Sequence, residues 1–248
     1  MEHSNSLNSL PIYIKGDSML PENYRGISLL HTGYKIVTTL IMERLNPYVK
    51  DIVSDCQCGF SKGKSTIDHI HTIRQIAEKH YEYNKDLHLI FVDFKQAYDS
   101  ISRNNLWKIM YDSGRETSTQ FKVQTGLRQG DALSPMLFNI AMEKVVRDMS
   151  EDRKMNLDNL NVLLQRFSTY GTRTTSGTWQ AHRWYANTKR LRTAVLLAYA
   201  DDIVIMGNSR DDVIQTTRQL LKTSKRMGLE VNQQKTKYMC MSRTDTDN

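Results

Sequence analysis

The run LLAYADDIVIMG at positions 196–207 decides how the rest of the chain is read. Two adjacent carboxylates, Asp201 and Asp202, interrupt a stretch that is otherwise apolar, and unpaired carboxylates are costly to bury. Taken over 195–206, the pattern is two β-type halves around a short polar turn, which predicts a hairpin with the acids at its tip. An aspartate in such a turn commonly bonds its own backbone, and for the dipeptide alone that reading is the stronger. The residues around it decide whether the acids do more.

A second apolar run, LHLIFVD at 87–93, predicts a buried strand that ends on Asp93. If neighbouring strands bring Asp93 beside Asp201 and Asp202, several carboxylates share a few ångströms and raise one another's pKa. A divalent cation removes that conflict: Mg²⁺ takes hard oxygen ligands and keeps positions open for water and phosphate. Two such ions stabilise both the attacking and the leaving oxygen in phosphoryl transfer.

Working outward, Ile36, Val37, Leu40, Ile41, Leu45 and Val49 predict an amphipathic helix over 34–50, which Pro47 should interrupt. Ile67, Ile70, Ile73, Ile76 and Ala77 predict a helix over 65–81, with Ser65 and Asp68 forming a capping box. Residues 134–149 predict a third helix with Ser134 as N-cap and Pro135 in its first turn. Ser209 to Arg226 predicts a fourth, capped by Ser209 and Asp212 and stopped by Gly228. A short strand or helix start is expected at 26–30, a closing strand pair at 229–231 and 237–241, and a long irregular segment over 150–193.

The 248 residues suggest one domain or two small ones, 39% hydrophobic and 25% charged, as in a soluble globular protein. No apolar stretch approaches the ~20 residues of a membrane span, so no membrane partner is expected. The N-terminus carries no signal-peptide core. Cys56, Cys58 and Cys240 lack zinc-site spacing and read as reduced thiols, which together predict an intracellular protein, nuclear or cytoplasmic and not secreted. The net charge of +7 and pI of about 9.2 fit a polyanionic partner, although a mildly basic surface explains charge alone. Residues 151–196 hold eight Lys/Arg against three acids, with Phe167, Tyr170, Trp179, Trp184 and Tyr185 interspersed.

Taken together, these motifs resemble the reverse transcriptase domain of non-LTR (LINE-type) retrotransposons. The resemblance rests on VDFKQAYDS (92–100), GLRQGDALSP (126–135), YADD (199–202) and GLEVNQQKTK (228–237), with PENYRGISLL (21–30) and GFSKGKST (59–66) upstream, all in the family's order. It implies an α+β fold, a polymerase palm-type antiparallel sheet with packed helices plus a helical/β fingers subdomain. The expected division is 1–86 fingers-like and 87–248 palm-like, with a divergent basic segment at about 150–194. It implies two Mg²⁺ (or Mn²⁺) ions held by Asp93, Asp201, Asp202 and the carbonyl of Phe94. Lys235 would protonate the leaving pyrophosphate, and Tyr98 would act as the steric gate against a ribose 2′-OH. Arg128, Gln129 and Gly130 would face template or nucleotide, and Arg25, Lys62 and Lys64 the phosphates. RNA template, DNA primer and dNTPs are the implied partners. For the lesser positions an ordinary core Tyr, a helix-entry loop and a surface Lys are the plain alternatives.

The chain departs from the family in its shortened 108–125 connection, in the unmatched 150–194 segment, and in Ser61 and Gly26, where Arg and Pro are common. Its last residues follow soon after 241, so no thumb is expected. A truncated, partly degenerate RNA-directed DNA polymerase domain is therefore one reading. A non-catalytic nucleic-acid- or partner-binding remnant, resting on the basic 151–196 segment, is the other.

Overall fold

Leu87–Val92 forms β3, a strand whose Leu87, Leu89, Ile90 and Val92 are all buried. In the computed structural model, which describes residues 9–54, 56–61, 63–112, 126–153 and 194–243, this strand lies inside a four-stranded sheet. The chain enters through β1 (Ser9–Tyr13) and β2 (Tyr24–Ser28), a separate antiparallel pair, followed by helices α1 (Thr32–Ile52) and α2 (Thr66–Glu82). After β3 come the single turn α3 (Ala97–Ser100), α4 (Arg103–Asp112) and α5 (Ser134–Arg153). The chain continues through β4 (Val195–Tyr199), β5 (Asp202–Gly207), α6 (Arg210–Arg226) and β6 (Lys237–Met241). The sheet order is β4-β5-β3-β6, every neighbour antiparallel. Helices α5 and α6 pack on each other, and α6 lies on β5 and β3. The core between them holds Phe138, Met142, Leu197, Ile205 and Leu220, none more than 1% exposed. The fold is thus α+β, as expected. No helix among the described residues is long and apolar enough to cross a membrane.

The caps of α2 and α6 form as the sequence predicts, whereas Ser134, expected to cap α5, is already its first helical residue. Asp68 Oδ2 accepts from the Ser65 backbone N–H at 2.7 Å. The Asp212 N–H donates to Ser209 Oγ at 3.2 Å, with Asp211 and Asp212 in the first turn of α6 and Lys225 and Arg226 in its last, each complementing the helix dipole. That helix ends in a double hydrogen bond, Gly228 N–H to the Lys225 carbonyl and Leu229 N–H to the Ser224 carbonyl, with Gly228 at φ +83°. A Cβ on Gly228 would overlap the Ser100 carbonyl oxygen. Gly228→Ala is therefore expected to lower stability by at least about 2 kcal/mol, the left-handed penalty plus the overlap, read as a fall of roughly 4–8 °C in thermal midpoint.

Several expectations are corrected. Helix α1 runs through Pro47 without stopping. The Glu43 carbonyl that loses its partner there lies on the exposed side of the helix, where water replaces the missing N–H. Its inward stripe is Thr38, Met42, Leu45 and Val49, while Ile36, Val37, Leu40 and Ile41 are exposed. Likewise α2 buries Ile76 but leaves Ile67 and Ile70 outside. Residues 229–231 and 237–241 do not pair with each other: Val231 bridges Phe94, and β6 pairs with β3. The irregular segment expected over 150–193 lies, from 154 onward, outside the described residues.

Candidate active site

The register of the sheet brings the acids together. Val92 of β3 pairs with Ile203 of β5, and one step further along the same ladder Asp93 comes opposite Asp202. Tyr199 and Asp202 form the last pair of the β4–β5 hairpin, leaving Ala200 and Asp201 as a two-residue turn. Cross-strand neighbours of this kind stand about 5 Å apart at Cβ. Their electrostatics follow from that closeness. Burial first, then Asp201, then Asp93 push the Asp202 carboxyl above the usual range, with Lys235 opposing. Asp93 Oδ2 is itself buried and accepts no hydrogen bond. Its recorded ion-pair partner is Lys235 Nζ at 3.5 Å, without hydrogen-bond geometry.

Lys235 reaches Asp93 because the turn that carries it is built on Asp93's own backbone. The Asn232 N–H donates to the Asp93 carbonyl at 2.7 Å, and the Thr236 N–H and hydroxyl both donate to the Asn232 carbonyl. Phe94 is buried beside this turn and bridges Val231.

Tyr98 forms the floor next to the acids. Its ring stacks on Phe138 of α5 with centroids 4.7 Å apart and 10° between planes, and Phe60 meets its other side edge-on at 6.3 Å. Its buried hydroxyl has no hydrogen-bond partner. Burial and then the charge of Asp201 raise its pKa well above the usual phenol value, which places that hydroxyl within the field of Asp201.

A basic wall adjoins this floor. The Leu127 N–H donates to the Tyr98 carbonyl at 2.6 Å, and the Ser28 N–H of β2 to the Gln129 carbonyl at 2.9 Å, so the 126–130 loop bridges α3 and β2. Gly130, at φ +99°, fits because a Cβ would stand 3.1 Å from the Ser28 carbonyl oxygen. Arg128 lies near Arg103, whose pKa is lowered by burial and then by Arg128. Arg25 lies within electrostatic reach of Asp99, its charge opposing the burial that raises the Asp99 pKa. The structure therefore brings Asp93, Asp201, Asp202 and Lys235 together, with Tyr98 beside them and Arg25, Arg128, Gln129 and Gly130 on the adjoining wall. Lys64 lies within electrostatic reach of Cys56 and His69. Lys62 lies outside the described residues.

Among the described residues no three His, Cys, Asp or Glu side chains form a metal cage. Mg²⁺ rarely uses one: it sits on one or two carboxylates and completes its shell with water and substrate phosphate. An orphaned buried acceptor on Asp93 and a carboxyl on Asp202 crowded by two others are what such a partial shell looks like without its cation. The residues present fit a divalent ion.

Sequence reasoning missed the residues that hold this arrangement in place. Gln57, 2% exposed, bonds both backbone groups of Ala200. Asn139 Nδ2 donates to the Gly59 carbonyl at 2.8 Å from α5. Phe138 supplies the floor under Tyr98. Gln57 left no signal to find, because its partner is backbone far along the chain.

A family model described as reverse transcriptase (RNA-dependent DNA polymerase) matches residues 14–246. The chain is 26% identical over 144 residues to the probable RNA-directed DNA polymerase from transposon BS of Drosophila melanogaster, covering 48% of this chain and 16% of that protein. It is 28% identical over 154 residues to the transposon TX1 uncharacterized 149 kDa protein of Xenopus laevis, covering 52% of this chain and 12% of the relative. The chain therefore spans only a small part of these relatives' length. Among solved structures, apo telomerase from Candida tropicalis matches with a TM-score of 0.52 at 12% identity, covering 96% of this chain and 46% of the other. The form truncated from the C-terminal domain gives 0.51 at 12% identity, covering 90% and 49%. At that identity the likeness concerns the fold.

Proposed function

The chain belongs to the reverse transcriptase (RNA-dependent DNA polymerase) family, and from that premise we propose that it extends a DNA primer on an RNA template from dNTPs. The observation that carries this reading is the crowding of Asp202 by Asp201 and Asp93 across two paired strands, beside an orphaned oxygen on Asp93. Asp93, Asp201 and Asp202, with the Phe94 carbonyl, are the groups that would hold two Mg²⁺ or Mn²⁺ ions. When bound, such ions supply charge neutralisation at the attacking and leaving oxygens. The primer 3′ oxygen forms a new bond to the α-phosphorus as the bond to pyrophosphate breaks, and the primer hydroxyl gives up its proton to solvent water.

The chain's own groups do the rest. Lys235 carries a proton at Nζ at the edge of the acidic cluster and delivers it to the leaving pyrophosphate. Arg25 and Arg128 offset phosphate charge, while Gln129 and the Gly130 turn border template and nucleotide. Lys62 and Lys64 are assigned to template or phosphate contact on the same reading. Residues 1–86 act as fingers around the nucleotide and 87–248 as the palm beneath it.

Tyr98 is assigned as the gate against a ribose 2′-OH, a role supported by the way its ring is held between Phe138 and Phe60. Tyr98→Val is expected to raise use of rNTP relative to dNTP by at least about tenfold, since a hydroxyl-sized clash is removed. Competing single-nucleotide incorporation reads this ratio.

The test of the reading itself is primer extension on an RNA template with Mg²⁺. Template-directed dNTP incorporation supports it. RNA binding without incorporation in either Mg²⁺ or Mn²⁺ would favour the non-catalytic binding module instead.

A further inference from the structure

The β4–β5 turn has an unusual residue in an unusual conformation. Ala200 sits at φ +56°, the left-handed region that glycine favours at this position of a two-residue hairpin. A residue with a Cβ stays there only when its surroundings hold it. Three sets of contacts surround it. The Ala200 N–H donates to Gln57 Oε1 at 3.0 Å, and Gln57 Nε2 donates to the Ala200 carbonyl at 3.3 Å. The segment carrying Gln57 is stitched to β4 on either side: the Ala198 N–H donates to the Cys56 carbonyl at 2.8 Å and the Cys58 N–H to the Ala198 carbonyl at 2.9 Å. Gly59 then passes so close that a Cβ on it would overlap the Ala200 nitrogen, while its own N–H donates to Gln57 Oε1 at 3.0 Å.

We propose that Gln57 is the positioning residue of the acidic turn. Its planar amide presents an acceptor on one side and donors on the other, takes both backbone groups of Ala200, and fixes where Asp201 stands relative to Asp93. No other side chain of this length except Glu has the shape, and an ionised Glu has no donor for the Ala200 carbonyl. The residue touches no reacting atom and acts only through the turn. As a claim about Asp201 in catalysis it rests on the polymerase reading above; as a claim about the turn it does not.

The experiment therefore has one arm that needs no activity. Amide hydrogen exchange is followed by NMR at Ala200, with Ile205 of β5 as the reference, in the wild type and in Gln57→Met, which keeps the volume and removes the amide's bonds to Ala200 and Gly59. Ala200 is expected to exchange at least about tenfold faster in the variant while Ile205 is unchanged. Equal acceleration at both residues, or none at Ala200, overturns the proposal. Should the variant not fold, the wild type still decides: an Ala200 amide exchanging at the unstructured rate rules the clamp out. In the second arm, primer extension by Gln57→Met is expected to lose at least about tenfold in kcat and to need more Mg²⁺ for half-saturation, with KM for dNTP unchanged. A rise in KM alone contradicts positioning. A wild type that incorporates nothing sinks the polymerase reading, and the exchange arm then judges the clamp by itself.

Discussion

Asp201→Asn is expected to lower RNA-templated dNTP incorporation by at least about 100-fold, more than the 10–100-fold typical when only a group supporting a metal ligand is lost. Its thermal midpoint should not fall. Burial first, and then the carboxylates of Asp201 and Asp93, hold the Asp202 carboxyl above its usual range, so removing the Asp201 charge relieves like-charge repulsion in the folded state. Loss of activity with equal or higher stability is the signature of a site whose charges conflict until a cation arrives. A fall in both together would instead make Asp201 a structural turn residue, bonding its own backbone. Melting curves and primer extension on the same preparations separate the two cases.

Phe138→Ala carries the largest expected effect on stability. Phe138 is fully buried, and it lies face to face with Tyr98 at 4.7 Å. Truncating a buried Phe costs about 3–5 kcal/mol, or roughly 6–20 °C in thermal midpoint for a chain of this size. The second consequence is local. Without the ring beneath it Tyr98 loses its fixed plane, so the variant should also accept rNTP more readily than the wild type. A control truncation of a distant core residue, Leu220→Ala, should lower stability without that change in selectivity; Leu220 is likewise fully buried, on α6. If both truncations relax selectivity equally, the floor under Tyr98 has no special role.

What was legible in the sequence was whatever repeats along the chain. The apolar runs at 87–92 and 195–206 announced a strand and a hairpin because burial on a sheet leaves unbroken apolar residues. Asp93, Asp201 and Asp202 stood out against those runs. Ser65 with Asp68, Ser209 with Asp212 and the stop at Gly228 were readable because caps are local. Other features depend on distant partners. The first strand, SLPIY, has all five residues exposed and so leaves no burial pattern. β6 was expected to pair with the nearby 229–231 but pairs with β3, about 150 residues earlier, and exposed Tyr238, Met239 and Met241 say nothing of register. On α1 the apolar residues outnumber the places in the core, so the sequence could not tell Ile36 and Val37 outside from Leu45 and Val49 inside. Gln57 was hidden most completely: its partner lies 143 residues away and is backbone, which has no sequence signature.

The central claim is that Asp93, just past β3, and Asp201, in the β4–β5 turn, form one divalent-cation site. Mn²⁺ titration followed by electron paramagnetic resonance, in the presence of a dNTP, tests it most directly. The wild type is expected to bind Mn²⁺ with dNTP at least about tenfold more tightly than Asp93→Asn and Asp201→Asn alike, each having lost one ligand of the same shell. Equal Mn²⁺ affinity in all three proteins would contradict the account.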